Sequence, residues 1–287
     1  MKNIKFYFQL LAVLVAFSSC DDVIDLDLND GPIQLVVDGQ LDNSAAQPDT
    51  ILLKWTGSYF VNKPLPAATG ATVKVNSSDG ATYVFAETAE KSGKYVNQTF
   101  VGEVGKTYTI NISNVQGNGY ESETFTAASL LKRVPPIDSL KTNYRPENTG
   151  IYDKGYYIQY FGPEPVGSGD YYRFKMYVNG KLRNQPSDLA FTSDQLVDGN
   201  YIDDLELSSE PCEEGDTVKI ETLSLTDDTY QFYLELQSQM QSGGGPFSPP
   251  FANVRTNIVN SNASSNKKAV GYFRCVGLSS ASIICKP

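Results

Sequence analysis

The 287-residue sequence contains no histidine, one tryptophan and three methionines. Imidazole is the base of serine-histidine and cysteine-histidine dyads and a ligand of most catalytic zinc sites, so its absence excludes such sites within the chain. Hydrolysis by a pair of carboxylates stays open, because 33 aspartates and glutamates are present. The spacing of the acidic residues along the sequence does not indicate which two would form such a pair. We therefore expect a binding protein and not an enzyme, with no cofactor and no metal.

Positive charge is also scarce, since 23 lysines and arginines leave a formal net charge of -10. A surface of that sign repels nucleic acid and anionic membrane surfaces. We expect no nucleic-acid partner. Aromatic residues are abundant by contrast, and 18 tyrosines with 14 phenylalanines favour pleated sheets over helical bundles. The length favours two domains.

Long apolar runs are missing except near the N-terminus, where residues 6–17 are apolar apart from Gln9 and follow Lys2 and Lys5. A helix that spans a bilayer needs roughly 20 apolar residues, so this run is too short. Charge, apolar core and small residues in that order are typical of an export signal, which we place at residues 1–19.

A cysteine stands where this signal would be cleaved. Cys20 resembles the lipobox cysteine of bacterial lipoproteins, whose thiol is acylated with chains such as palmitate and anchors the protein; an ordinary secretory signal is the alternative. Residues 20–32 are acidic and predict a solvated tether, because like charges extend a linker. Asp21 and Asp22 resemble the surface-export signal of Bacteroidetes-type lipoproteins. That resemblance implies an outer-membrane protein that faces the cell exterior.

Three further cysteines follow, Cys212, Cys275 and Cys285. Export permits a disulfide, and three pairings are possible, each leaving one thiol over. The stretch between Cys275 and Cys285 has the length of a short hairpin, which makes these two the candidate disulfide. Three unpaired thiols are the alternative.

Apolar and β-branched runs separated by turn residues cover residues 33–129. They include "IQLVVDGQL" at 33–41, "DTILLKW" at 49–55 and a predicted hairpin around Gly80. Strands spaced by about ten residues without a helical period predict an antiparallel sandwich of immunoglobulin or prealbumin type. Residues 130–138 contain two prolines that can continue neither a ladder nor a helix, and they predict a linker.

The second half, residues 139–287, predicts a further β-rich domain with one helix. Strongly alternating strands are expected at 155–161 and 170–182. The helix is expected near 227–242, capped by Thr226 and stopped by Gly243. Its aromatic face predicts packing on the second sheet.

A loop at 58–70 combines prolines with Tyr59 and Phe60. Aromatic side chains on an irregular segment predict a recognition loop, and these two residues are the candidate binding residues. A plain connection between strands is the alternative.

Several segments resemble, in order, the landmarks of one family. They are "LVVDGQL", "GATVKVNSSDG", "VPPIDSL", "DYYRFKMYVNG" and "GGPFSPPFANVRTNI". They are similar to a Bacteroidetes lipoprotein family that carries a domain of unknown function and is often encoded beside TonB-dependent receptors. The resemblance covers about residues 20–275 and brings no catalytic residue with it.

This resemblance implies a surface-exposed outer-membrane lipoprotein that serves a TonB-dependent transporter as a non-catalytic accessory, in cargo capture or presentation. Two other hypotheses stay open. One is an independent structural or adhesive surface-binding protein, and the other is a carboxylate-dependent hydrolase.

Overall fold

The structure is a computed structural model, and it describes residues 31–58, 63–147, 150, 152–207, 210–241 and 253–286. It confirms the prediction of a mainly β protein with several antiparallel sheets. All the strands and the helix in these ranges belong to one compact unit.

Seventeen strands and one α-helix are present in the described part of the chain. The strands are β1 (Leu35–Asp42), β2 (Asp49–Trp55), β3 (Thr72–Ser77), β4 (Thr82–Glu87), β5 (Lys94–Asn97), β6 (Thr107–Ser113), β7 (Thr124–Leu130), β8 (Ser139–Arg145), β9 (Gly155–Pro163), β10 (Tyr171–Val178), β11 (Lys181–Leu182), β12 (Ala190–Ser193), β13 (Tyr201–Glu206), β14 (Thr217–Leu225), β15 (Val259–Asn260), β16 (Ala269–Val276) and β17 (Leu278–Ile284). The helix is α1 (Asp227–Gln241), and Pro186–Asp188 form a short 3-10 helix.

The first sheet has nine strands in the order β15-β7-β6-β3-β4-β5-β2-β1-β16. Buried and less buried residues alternate along its strands, and every second residue of β1 and β2 is buried. The inward residues of β1 to β7 join one apolar core with Phe273 and Cys275 of β16. The amide of Cys275 donates to the Ser129 hydroxyl of β7 at 2.9 Å. Strands near opposite ends of the sheet thus meet around the core, which is the packing expected of a sandwich.

Two strands of this sheet come from the C-terminal part of the chain. β15 pairs with β7, and β16 pairs in parallel with β1. Every other strand pairing in the described residues is antiparallel. The predicted boundaries assign residues 253–276 to the second domain, whereas their strands complete the first sheet. The reason is burial, because Phe273 and Cys275 enter the first core.

The remaining strands form two smaller sheets. The order of one is β11-β10-β14-β17, with β12 also on β10, and that of the other is β13-β9-β8. They pack on each other through a second core that includes Tyr156, Ile158, Phe174, Val218 and Ile220. One face of β10 is therefore buried against β9, and the other face is free for different partners.

Helix α1 covers part of that other face. Tyr233 joins a third apolar cluster with Leu223 and Leu225 of β14, and Tyr230 stacks on Tyr171 of β10 with ring centroids 4.6 Å apart. The predicted packing of the aromatic helix face on the second sheet is confirmed. Among the described residues, no helix has the length and apolar character that crossing a membrane requires.

Candidate functional site

A cavity of about 300 Å³ lies where β1, β10, β16, α1 and the loop before β12 come together. Arg173, Lys175 and Arg274 line it, and we call it the basic pocket after these three cations. Its size falls at the lower end of the range of small-molecule sites.

Strand alternation positions these cations. Arg173 and Lys175 are two residues apart on β10, so they point to the same face, away from Phe174 and the second core. The parallel register sets Gln40 of β1 beside Arg274 of β16. The outward face of the first sheet and the free face of β10 therefore contribute charge to one cavity.

Hydrogen bonds tie the cations loosely to their surroundings. Lys175 Nζ and Arg274 Nε both donate to Gln40 Oε1, at 3.4 and 3.3 Å. Arg274 Nη1 also donates to Asp38 Oδ1 at 3.2 Å. Asp38 is the one carboxylate within 4 Å of these three cations in the described residues, and its side chain is 60% exposed.

Arg173 is held by an aromatic ring. Its Nη1 donates to the Tyr233 hydroxyl at 2.7 Å, and its guanidinium carbon lies 4.7 Å from the centroid of the same ring. Its Nε is buried and has no hydrogen-bond partner among the described residues. A buried donor without a partner is unfavourable by about 1–3 kcal/mol, so this donor is a local cost in the empty site.

Burial, together with the nearby charges of Arg173 and Arg274, lowers the pKa of the Lys175 ammonium to about 8. Glu221 and Asp38 act in the opposite direction. Glu221 is itself paired with Lys219 at 2.7 Å, so it compensates Lys175 only in part. Lys175 remains mostly protonated at pH 7.

Two other charged residues line the cavity but are engaged elsewhere. Arg183 donates to the backbone oxygens of Glu210 and Pro211, both at 2.8 Å. Asp188 accepts from the backbone amide of Gln185 at 2.8 Å. Neither changes the surplus of positive charge around Lys175.

The rest of the lining is mainly apolar. Phe232, Leu236 and Met240 follow one another at four-residue spacing along α1 and form one wall. Leu182 contributes on the other side, and both Leu182 and Met240 are more than a third exposed. The cavity thus reaches the surface beside apolar side chains and holds its cations inside.

A second group of charges is buried. The carboxylates of Glu164, Asp170 and Asp194 approach one another within 4.8 Å, and we call them the acidic cluster. Asp170 is paired with Lys132 at 2.8 Å and with Arg133 at 3.1 Å.

The other two carboxylates of the acidic cluster are also bound. Asp194 accepts from the amides of Gly169 and Asp170 at 3.2 and 3.0 Å. Glu164 Oε1 accepts from the Tyr172 hydroxyl at 2.8 Å, whereas its Oε2 has no partner among the described residues. Burial raises the pKa of Glu164. Five of six carboxylate oxygens are therefore satisfied by the protein.

A cavity of about 270 Å³ adjoins Glu164 and Asp194. These two acids could serve as the pair that carboxylate hydrolysis needs. Because both already hold protein groups, the arrangement is that of a structural network.

Five residues singled out from the sequence lie outside the described residues. They are Cys20, Asp21, Asp22, Tyr59 and Phe60. Their roles in lipidation, export and binding stay predictions.

The structure does not bring the candidate disulfide pair together. Cys275 is buried in the first core, while Cys285 follows β17 into the second core. Cys285 instead shares a thiol hydrogen bond with Cys212, and all three are free thiols. Burial raises the pKa of Cys285 to about 12 and also raises that of Cys212. The reason for the difference is that β16 and β17 belong to different sheets.

The family model described as "Domain of unknown function (DUF4249)" matches residues 21–281. The chain belongs to the DUF4249 family. The match includes the basic pocket and the acidic cluster, so both lie within the DUF4249 domain. No curated protein matches the chain.

Solved structures resemble this DUF4249 chain only weakly. A two fibronectin type-III domain segment from chicken tenascin is 14% identical, with 67% of this chain and 90% of that chain covered and a TM-score of 0.22. An alpha-L-rhamnosidase from Dictyoglumus thermophilum is 12% identical, with 70% and 28% covered and a TM-score of 0.19. Both TM-scores lie far below 0.5.

The basic pocket was not predicted from the sequence. One local signal existed, since Arg173 and Lys175 alternate with apolar residues inside a predicted strand. No local signal connects them to Arg274 or Asp38, which are brought in by the pairing of β1 with β16.

Proposed function

We propose that this DUF4249 chain is a surface-exposed outer-membrane lipoprotein and a non-catalytic accessory subunit of a TonB-dependent transporter, engaged in cargo capture or presentation. The observation that carries the proposal is the position of Cys20. It directly follows an apolar segment of export type and directly precedes Asp21 and Asp22. Several acyl chains on one residue anchor a protein stably.

The non-catalytic role is supported by what the chain offers for chemistry. Without histidine, it has no imidazole base of its own. The acidic cluster uses five of six oxygens within the protein. The basic pocket supports a role in holding a ligand.

The anchor is tested by growing cells with an alkyne analogue of palmitate and comparing the wild-type chain with Cys20→Ser. We expect label on the wild type and none on the variant, which should also leave the outer-membrane fraction. An unlabelled wild type, or a labelled variant, would show that Cys20 is not the lipidation site.

The transport role is tested by purifying the C-terminally tagged protein from outer membranes in mild detergent and identifying copurifying proteins by mass spectrometry. An unrelated lipoprotein with the same tag is the control. We expect a TonB-dependent transporter in stoichiometric amount. Recovery of the tagged protein alone, with cell-surface adhesion that depends on it, would contradict the proposal in favour of an independent surface binder.

A further inference from the structure

The basic pocket holds more positive charge than the protein neutralises. In the described residues, Asp38 is the one carboxylate within 4 Å of Arg173, Lys175 and Arg274, and it is itself largely exposed. Glu221 and Asp42 act on Lys175 from farther away. This surplus is unusual in a chain whose formal net charge is -10. These cations are partly buried, and a partly buried charge is stabilised by a partner, so the surplus indicates that an anion from outside completes the site.

The free hydrogen-bonding capacity points the same way. An ammonium has three donors, and the one hydrogen bond seen for Lys175 in the described residues is a long one of 3.4 Å to Gln40. Within the same part of the chain, the one hydrogen bond seen for the Arg173 guanidinium is from Nη1 to the Tyr233 hydroxyl. A carboxylate could accept from both groups, and such charge-assisted hydrogen bonds are about twice as strong as neutral ones.

The apolar part of the cavity lining indicates what the ligand contains besides its anionic group. Phe232, Leu236 and Met240 form an apolar wall next to the cations. A fully hydrophilic anion such as free phosphate would leave this wall in contact with water. A molecule with an apolar or aromatic body and one anionic head would cover the wall and reach the cations together.

We propose that the basic pocket binds a small organic acid, with its carboxylate between Arg173 and Lys175 and its apolar body against α1. The cavity of about 300 Å³ accommodates one such molecule. The inference concerns the binding site and goes beyond the proposed transport role.

The experiment compares two probes of the same size, one with a carboxylate and one with a neutral amide in its place. 1-Naphthaleneacetate and its neutral amide, 1-naphthaleneacetamide, are titrated separately into the full chain at pH 7 by isothermal calorimetry. We expect one molecule of the acid to bind at least tenfold more tightly than the amide, because only the acid satisfies the cations. Equal affinities, or no binding of the acid at millimolar concentration, would overturn the proposal.

Variants locate the binding site. Lys175→Met should weaken binding of the acid at least tenfold and leave the amide unaffected, whereas Lys175→Arg should retain binding because it keeps the charge. Lys74→Met is the matched control, since Lys74 is an exposed residue of β3 that does not line the cavity. Loss of binding in Lys74→Met, or full affinity in Lys175→Met, would place the acid elsewhere and refute the site.

The outcome is separable from that of the transport proposal. Binding of the acid with no copurifying transporter would retain the pocket and remove the accessory role. A copurifying transporter with no binding of the acid would retain the accessory role and refute the proposed ligand of the basic pocket.

Discussion

The basic pocket and the acidic cluster are both groups of charges beside cavities of similar size, about 300 and 270 Å³. The carboxylates are buried, and the cations are partly buried. They differ in how the charge is compensated. In the acidic cluster, Lys132 and Arg133 both pair with Asp170, and backbone amides bind Asp194. In the basic pocket, one exposed carboxylate, Asp38, pairs with Arg274, and no carboxylate of the described residues lies within 4 Å of Arg173 or Lys175.

This difference distinguishes a structural network from a binding site. A network that satisfies its own members stabilises the fold and gains nothing from a ligand. A group of like charges without counter-charges destabilises the empty protein by mutual repulsion. Binding of a counter-charge reduces this repulsion. Removing an ion-paired carboxylate of the acidic cluster should therefore destabilise the protein, whereas removing an uncompensated cation of the basic pocket should stabilise it.

The largest effect is expected where the basic pocket is assembled. Gly271 of β16 has φ +92°, and a Cβ there would lie 2.1 Å from the Val37 backbone oxygen. Gly271→Ala should reduce the free energy of unfolding by more than about 3 kcal/mol, because the β1–β16 pairing has to shift. Urea denaturation measures the change.

Gly80→Ala is the matched control for this prediction. Gly80 has a similar φ of +96°, but a Cβ at this position would have no atom within 4 Å. This variant should lose only about 1–2 kcal/mol, from backbone strain. Equal losses in the two variants would show that β16 is not held tightly against β1.

Removing the ion-paired charge of Asp170 from the acidic cluster should destabilise the protein. Asp170→Asn leaves Lys132 and Arg133 without their carboxylate, and the free energy of unfolding should fall by about 2 kcal/mol. Asp79→Asn, in the exposed pair with Lys106, should have a much smaller effect. An unchanged stability of Asp170→Asn in urea denaturation would contradict the structural role of the cluster.

Removing the charge of Lys175 from the basic pocket should instead increase the free energy of unfolding. The pKa of Lys175 in the folded protein is about 8, below its ordinary value of 10.5, so the unfolded chain binds more protons between these values. Wild-type stability should therefore rise as the pH increases from 8 towards 10.5. Lys175→Met should be more stable than wild type by about 1–3 kcal/mol at pH 7 and lack this rise.

Urea denaturation at pH 7, 8, 9 and 10 measures both parts of this prediction. Arg173, Arg274, Asp38, Glu221 and Asp42 are the charged groups that act on Lys175, and they are unchanged in the variant. Lys74→Met serves again as the control with the same loss of charge. A Lys175→Met protein that is less stable than wild type at pH 7 would show that the lysine is well compensated.

The smallest effect is expected at Glu164. Its raised pKa means that the charged form is disfavoured, so stability is lost as the pH rises through that pKa. Glu164→Gln cannot ionise and keeps an acceptor for the Tyr172 hydroxyl. It should match wild type at pH 4 and gain less than about 1 kcal/mol at pH 8. A loss of stability at both pH values would indicate that the carboxylate has an unrecognised partner.

Much of the local structure could be predicted from the sequence. The apolar run at 49–55 forms β2 (Asp49–Trp55) as expected, and Gly80 turns the β3–β4 hairpin with a positive φ. The helix expected near 227–242 spans Asp227–Gln241. Each depends on residues within a few positions of one another, where periodicity and turn chemistry are sufficient.

The long-range assembly was not predictable in this way. The pairing of β1 with β16 joins segments more than two hundred residues apart, and only the burial of Phe273 and Cys275 in the first core explains it. The same pairing separates Cys275 from Cys285, although the short interval between them suggested a hairpin.

Local pattern was therefore enough for the mainly β character, the strand and helix positions, and the exclusion of histidine chemistry, because each follows from composition or from neighbours in the chain. The basic pocket required three segments to meet in space. Arg173 and Lys175 come from β10, Arg274 from β16 and Asp38 from β1. Charge compensation depends on distances between such segments, and those distances arise when the sheets pack on each other.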